Sequence, residues 1–301
     1  NADALIPKGY KTTLVYQNGK EITTLANSNS NREYVYYDSI PEDLVNAFVA
    51  IEDRRFWEHN GIDVQGIARA FVQGLKNGGN FDEGASTLTQ QLIKNNVFNV
   101  GLNESTFLDK LERKVQEQYL AVDMEKKIDK KSIVEYYLNT IYLGEGCYGV
   151  ETAAKTYFGK ELSQLSVSEC AVLAAIPQNP TKYDPLLSPD DNKTRRTQVL
   201  KYMLDLEYIT QAQYDEAIND NVYKRIASVS KKEEKQQKTE VNSYYTDEVI
   251  KQLQNDLVAK GYSEDEAESL IWSGGLKVIV CQDPEIQEIA DSVVNDTSYW
   301  P

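Results

Sequence analysis

The sequence predicts a mainly α fold with short β segments at both ends. Apolar residues recur at helical spacing, behind recognisable helix-start signals, through most of residues 38–224. Outside that stretch, "TTLVYQNGKEITTL" places two β-rich runs around the hairpin signal Asn18-Gly19, and "GGLKVIVCQDP" forms a third β-like run.

The first helix is expected behind Ser39 and Glu42, which have capping-box spacing. Pro41 would sit just inside the start, Leu44, Val45, Phe48, Val49 and Ile51 would form the apolar side, and Glu52 falls at the end. Asp63 can cap the next helix, with Ile67, Ala68, Phe71, Val72 and Leu75 buried and Gly78-Gly79 stopping it. Ser86 or Thr87 can cap a helix from Leu88 to Asn95. Further helices read at 108–127, 131–143, 150–158 and 167–176, the last opened by the capping box Ser166/Glu169 and closed by Pro177. After a Pro/Asn-rich turn come helices near 192–206 and 211–218. Then follow the charge run "SKKEEKQQKTE", read as a solvated linker or an exposed helix end, a helix at 243–260, the third β-like run and one more short helix.

A chain of 301 residues has the mass for a real core, and 41% apolar with 26% charged residues excludes wholesale disorder. With 47 acids against 32 bases the net charge is −15, which argues against a nucleic-acid partner. Any anion site must be a local basic cluster. Cys147, Cys170 and Cys281 read as buried thiols, although one disulfide is compatible with the sequence; with a single histidine and no CxxC, zinc spacing is missing. No apolar run is long enough to span a bilayer.

Three stretches could carry chemistry. In "AIEDRRFWEHNGID", Glu52 ends an apolar helix, where partial desolvation would raise its pKa toward an acid or base role. Asp53, Arg54 and Arg55 read as ion-pairing and orienting residues, Glu58 and His59 as loop-fixing, and Phe56 and Trp57 as core. In "GASTLTQQLIKNN", Ser86, Gln90 and Lys94 share one helix face opposite Leu88 and Leu92, an arrangement suited to an oxyanion or sugar hydroxyls. The same letters also describe an ordinary capped helix. In "LERKVQEQYLAV", Leu111, Val115, Tyr119 and Val122 cluster on one side, and Glu117 lies between Arg113 and Lys114 on the other. That set reads either as a surface ion pair or as a carboxylate between two cations that could hold a phosphate. Two motifs are set aside: "GEGCYG" matches GxGxxG but follows a helix, so it reads as a tight turn, and "SVSK" lies in the charged linker without partner motifs.

Together these stretches resemble one family, the peptidoglycan glycosyltransferases (glycosyltransferase family 51), the polymerase module of class A penicillin-binding proteins. "EDRRFWEHNGID", "GASTLTQQL", "RKVQEQYLA", "KKSIVEYYLNTIYLG" and "RRTQVLKYML" are similar, in order, to its five motifs. The resemblance implies a lysozyme-like, two-lobed helical domain. It implies Glu52 as the catalytic base and Glu117 as a second catalytic glutamate that helps place the donor pyrophosphate, with a divalent metal (magnesium or manganese) as a compatible addition at Glu117. By the same resemblance Lys94, Arg113 and Lys114 would hold the pyrophosphate, and Ser86, Thr87, Gln90 and Gln91 would line the donor side. The expected partners are lipid II, the nascent glycan strand, the bacterial cytoplasmic membrane and proteins of cell-wall synthesis and division. The expected place is the extracytoplasmic face of that membrane. The implied organisation is a juxtamembrane β-rich entry at 1–37 after a transmembrane anchor, the glycosyltransferase domain at 38–224, and at 225–301 a linker leading into a transpeptidase domain. Trp57 stands where the family more usually has Tyr, and the segment between Lys94 and Arg113 is longer than is common.

Overall fold

Helix follows helix from Glu42 to Asn219 in the computed structural model, which describes residues 9–25, 32–76, 86–97, 107–226, 229 and 244–295. The mainly α class is as the sequence predicts. The chain divides into two units, one holding the described residues of 32–238 and the other those of 8–31 and 239–301.

The first unit is built around a helix that is buried on all sides. α1 (Glu42–Glu52), α2 (Val64–Lys76), α3 (Leu88–Val97), α4 (Phe107–Met124), α5 (Lys130–Thr140) and α6 (Val150–Phe158) precede that central helix, α7 (Val167–Ala174). α8 (Pro189–Asp205) and α9 (Gln211–Asn219) follow it. Every residue of α7 from Ser168 to Ala174 is buried, which places it between neighbours rather than on the surface. α1 and α8 both pack on it, while α3 packs on α4 and α5. The Ser166/Glu169 capping box opens α7 as expected: the Ser166 hydroxyl accepts from Glu169 N–H and the Glu169 carboxylate accepts from Ser166 N–H at 2.9 Å.

The box expected at Ser39 and Glu42 does not form. Ser39 ends a short 3₁₀ turn, Tyr37–Ser39, and Pro41, with ψ 137°, is itself the N-cap of α1. The physical reason is the proline: a residue before Pro is driven to extended backbone, and Ile40 has φ −86° and ψ 125°, so no helix can run through it. The "GEGCYG" segment is the expected tight turn after α5, with Gly144 and Gly146 in the left-handed region and Leu143 N–H donating to Cys147 O at 2.9 Å. "SVSK" apart from Val229, Gly78-Gly79 and the charge run lie outside the described residues.

In the second unit the two ends of the chain share one sheet. β1 (Thr12–Val15) and β2 (Glu21–Leu25) form the hairpin around Asn18-Gly19. β3 (Lys277–Ile279) adds to β1 in parallel, Leu14 opposite Val278, giving the order β2-β1-β3. α10 (Tyr244–Ala259), α11 (Glu264–Ser273) and α12 (Pro284–Asn295) complete it, with Leu14, Leu25, Ile271 and Val280 in its core. Pairing between residues more than 260 apart in sequence is invisible to local pattern. α11 was also not expected, although Ser263 and Glu266 have capping-box spacing before it. All three cysteines are free, and Cys281 is exposed rather than buried. No helix among the described residues is long and apolar enough to cross a membrane.

Candidate active site

α1 carries its last residue, Glu52, to the wall of a cavity of about 690 Å³ in the first unit. Burial of Leu44, Val45, Ala47, Phe48, Val49 and Ala50 fixes the helix, so its tip is fixed as well. The Glu52 side chain is 11% exposed. Gln91 Nε2 donates to Oε2 at 3.0 Å, and Arg195 Nη2 donates to Oε1 at 3.4 Å. Burial raises the Glu52 pKa, and the Gln91 hydrogen bond and the Arg195 charge only partly offset it. A carboxylate in that condition is a stronger base than a solvated one.

Asp53, the next residue, joins this helix end to the start of α3. Its carboxylate accepts from His59 Nε2 at 2.9 Å and from Leu88 N–H at 3.0 Å, all of it buried. Asp53 and His59 therefore hold geometry, as their positions in the sequence led us to expect. Arg55 pairs with Asp63 at 3.2 Å, and Asp63 caps α2 by accepting from Gly66 N–H at 2.9 Å. The α2 face expected to be buried is largely not: Ala68 is exposed and Val72 is 48% exposed, while the side chains of Phe71 and Leu75 lie outside the described residues. Phe56 is core, but Trp57 is 41% exposed.

Of the two candidate caps of α3, Thr87 is the one in use. Its hydroxyl accepts from Gln90 N–H at 3.2 Å and donates to Gly61 O at 2.8 Å. Gly61 has φ 89°, and a side chain there would meet the Ala121 backbone at 2.6 Å, so α4 packs against the turn before α2 only because this residue is glycine. Ser86 instead accepts from Lys114 Nζ at 2.6 Å. Gln90 is buried beside the cavity, and its Oε1 has no hydrogen-bond partner among the described residues. Lys94, half-buried on the next turn, lines the same cavity.

Over residues 113–119 α4 is inverted with respect to ordinary amphipathicity, while its last turns bury Ala121 and Met124 in the core. Val115 and Tyr119 are 58% and 74% exposed, whereas Glu117 is fully buried. Its two oxygens accept from Arg113 Nη1 and, at 2.9 Å, from Lys114 Nζ. The surface ion-pair reading is thereby excluded. Both oxygens already face cations, and among the described residues no group of three acidic, His or Cys side chains could hold a metal ion. This donor set on its own does not fit a divalent cation.

The cavity is lined by each of the candidate site residues Glu52, Ser86, Thr87, Gln90, Gln91, Lys94, Arg113, Lys114 and Glu117. Sequence reasoning missed Arg195 and Tyr137. Arg195 lies in the run "RRTQVLKYML", where nothing local distinguishes a cleft arginine from the neighbouring Arg196, which is fully buried and donates to Ala217 O and Ile218 O. Tyr137 donates to Gln91 Oε1 at 3.3 Å, which leaves the Gln91 amide nitrogen toward Glu52. Arg54 stacks on Tyr202, 3.4 Å from the ring centroid, at a further edge of the cavity.

The family model described as Transglycosylase matches residues 18–204, more than half of the chain. The chain belongs to the transglycosylase family. Its relatives include penicillin-binding protein 1A of Aquifex aeolicus (strain VF5), 41% identical over 88% of this chain and 33% of that protein. Penicillin-binding protein 1F of Bacillus subtilis (strain 168) is 38% identical over 96% and 37%, and penicillin-binding protein 1A of Streptococcus oralis is 37% identical over 95% and 42%. This transglycosylase chain thus spans between a third and about two-fifths of the length of those relatives. A solved structure of penicillin-binding protein 1A from Haemophilus influenzae is 23% identical over 95% of this chain and 29% of that one, with a TM-score of 0.43.

Proposed function

We propose that this transglycosylase chain polymerises lipid II into β-1,4-linked glycan strands and releases undecaprenyl pyrophosphate, with Glu52 as the general base. The observation that carries the reading is one cavity lined both by a nearly buried carboxylate, Glu52, and by three cations, Lys94, Arg113 and Lys114. Transfer of a sugar from a pyrophosphate needs both. The Glu52 carboxylate takes the proton of the acceptor 4-hydroxyl as its oxygen attacks C1 of the donor. The C1–oxygen bond to pyrophosphate breaks with its electron pair on the leaving group, so the α-linked donor becomes a β-1,4 link. Lys94, Arg113 and Lys114 stand where that negative charge develops, and Glu117 holds two of them in place. Gln90, whose Oε1 has no hydrogen-bond partner among the described residues, and Ser86 would bind donor hydroxyls. A divalent metal at Glu117 would need most of its oxygen ligands from the substrate, and no step above requires one.

A lysozyme-like hydrolase would use a similar glutamate but has no need of the cation cluster. By this reading the site works at the extracytoplasmic face of the bacterial membrane, with the nascent strand and proteins of cell-wall synthesis and division as partners. The test is polymerisation of labelled lipid II in detergent by this chain and its Glu52→Gln variant, read on a glycan-resolving gel. Long strands from the parent and none from the variant are expected. Equal ladders would remove Glu52 from the role of base, and hydrolysis of polymer without synthesis would overturn the polymerase.

A further inference from the structure

Trp57 is a residue that neither the core nor the cleft explains. It rims a second cavity in the same unit, of about 480 Å³, with Tyr37 and Tyr208 as further aromatic walls and Asp38, Glu42 and Asn46 as polar groups. That volume is in the range of small-ligand sites. Two segments lead into it from the main cavity. The turn after α1 supplies Arg54 to the first cavity and Trp57 to the second, and the end of α8 with its following turn supplies Gln198 and Tyr202 to the first and Tyr208 to the second. Along α1, Asn46 precedes Glu52 by six residues, about 9 Å of helix axis. The two cavities therefore share the turn after α1 and the end of α8 as walls.

We propose that the Trp57–Tyr208–Tyr37 pocket is a saccharide exosite that binds a pyranose unit of the glycan strand beyond the cleft. The proposal rests on the polymerase reading for its occupant. Aromatic rings offer flat apolar faces to the C–H side of a sugar ring, while carboxylate and amide groups at the edge accept and donate to hydroxyl and acetamido groups. Asp38 and Glu42 are exposed and Asn46 is half-buried, as edge partners need to be. Burial, then the charges of Glu42 and Asp38, holds the Tyr37 phenol protonated, and burial with Glu58 does the same for Tyr208, so both keep an O–H donor. The contrasting occupant, an organic cation drawn by the carboxylates and rings, is set apart by the experiment.

The whole chain, labelled with 5-fluorotryptophan, would be titrated with the N-acetylglucosamine tetramer and separately with tetramethylammonium. The Trp57 fluorine signal is assigned by its loss in Trp57→Phe. The expected result is a saturable shift of that signal with the tetramer, weakened about fivefold or more in Tyr208→Ala and retained in Glu52→Gln. In the lipid II assay, Trp57→Ala should give shorter strands than the parent. A Trp57 signal that the tetramer leaves unmoved, or that only tetramethylammonium moves, overturns the exosite. A parent that makes no polymer removes the polymerase reading, while the fluorine titration still decides whether the pocket takes a saccharide.

Discussion

α1 and α4 each deliver one glutamate to the same cavity, and they do so in opposite ways. α1 is an ordinary amphipathic helix whose apolar side is core and whose final residue, Glu52, projects from a rigid tip. α4 turns its charged side inward, buries Glu117 completely and leaves Val115 and Tyr119 in the open. The partners differ accordingly. Glu117 lies between Arg113 and Lys114, whereas Glu52 has an amide and one guanidinium at 3.4 Å. The difference teaches that burial alone does not define a role. A carboxylate compensated by two cations is suited to organise charge, and one whose partners fall short of its burial is suited to exchange protons.

The largest expected effect separates the two at the level of rate. Glu52→Gln should lower lipid II polymerisation by about 10²–10⁴-fold, the range of a lost general base. The next separates them at the level of stability, with opposite signs. Glu117→Gln leaves Arg113 and Lys114 facing a neutral buried group and, since these cations are 18% and 37% exposed and partly screened by solvent, should cost about 1–3 kcal/mol in denaturant unfolding. Glu52→Gln should raise Tm at pH 7 instead. Its folded pKa lies above the unfolded value, so Glu52 favours the fold while protonated, and that advantage is lost as pH rises through the window between the two values. The gain from the variant should therefore shrink from pH 7 to pH 4. A Glu52→Gln protein less stable than the parent at pH 7 would break the comparison.

Smaller effects sharpen it. Gln91→Leu removes the partner that does most to lower the Glu52 pKa, so the acid limb of the rate profile should move to higher pH than in the parent. Tyr119→Ser, on the exposed side of α4, should change unfolding free energy by no more than about 0.5 kcal/mol. A large loss there would mean that α4 is not inverted.

Much of this was legible in the sequence because it is local. Helical spacing, the Ser166/Glu169 box and the Asn18-Gly19 hairpin each involve residues a few positions apart, and the wheel placed Glu117 between its two cations. The wheel could not say which side of α4 faces inward, because that depends on what packs against it. Ser39/Glu42 failed for a reason equally local, the proline between them. Arg195 reaches Glu52 across 143 residues and the β1–β3 pairing spans more, so neither leaves a trace in any window of sequence.

The central claim is that the proton exchanged in the reaction is held by Glu52. The most direct measurement is the pH dependence of the initial rate of lipid II polymerisation, parent against Glu52→Gln. The account predicts an acid limb in the parent at a pH above the ordinary carboxylate range, and a low, flat residual rate in the variant across the same range. The same limb surviving in the variant would contradict it, because some other group would then be the base.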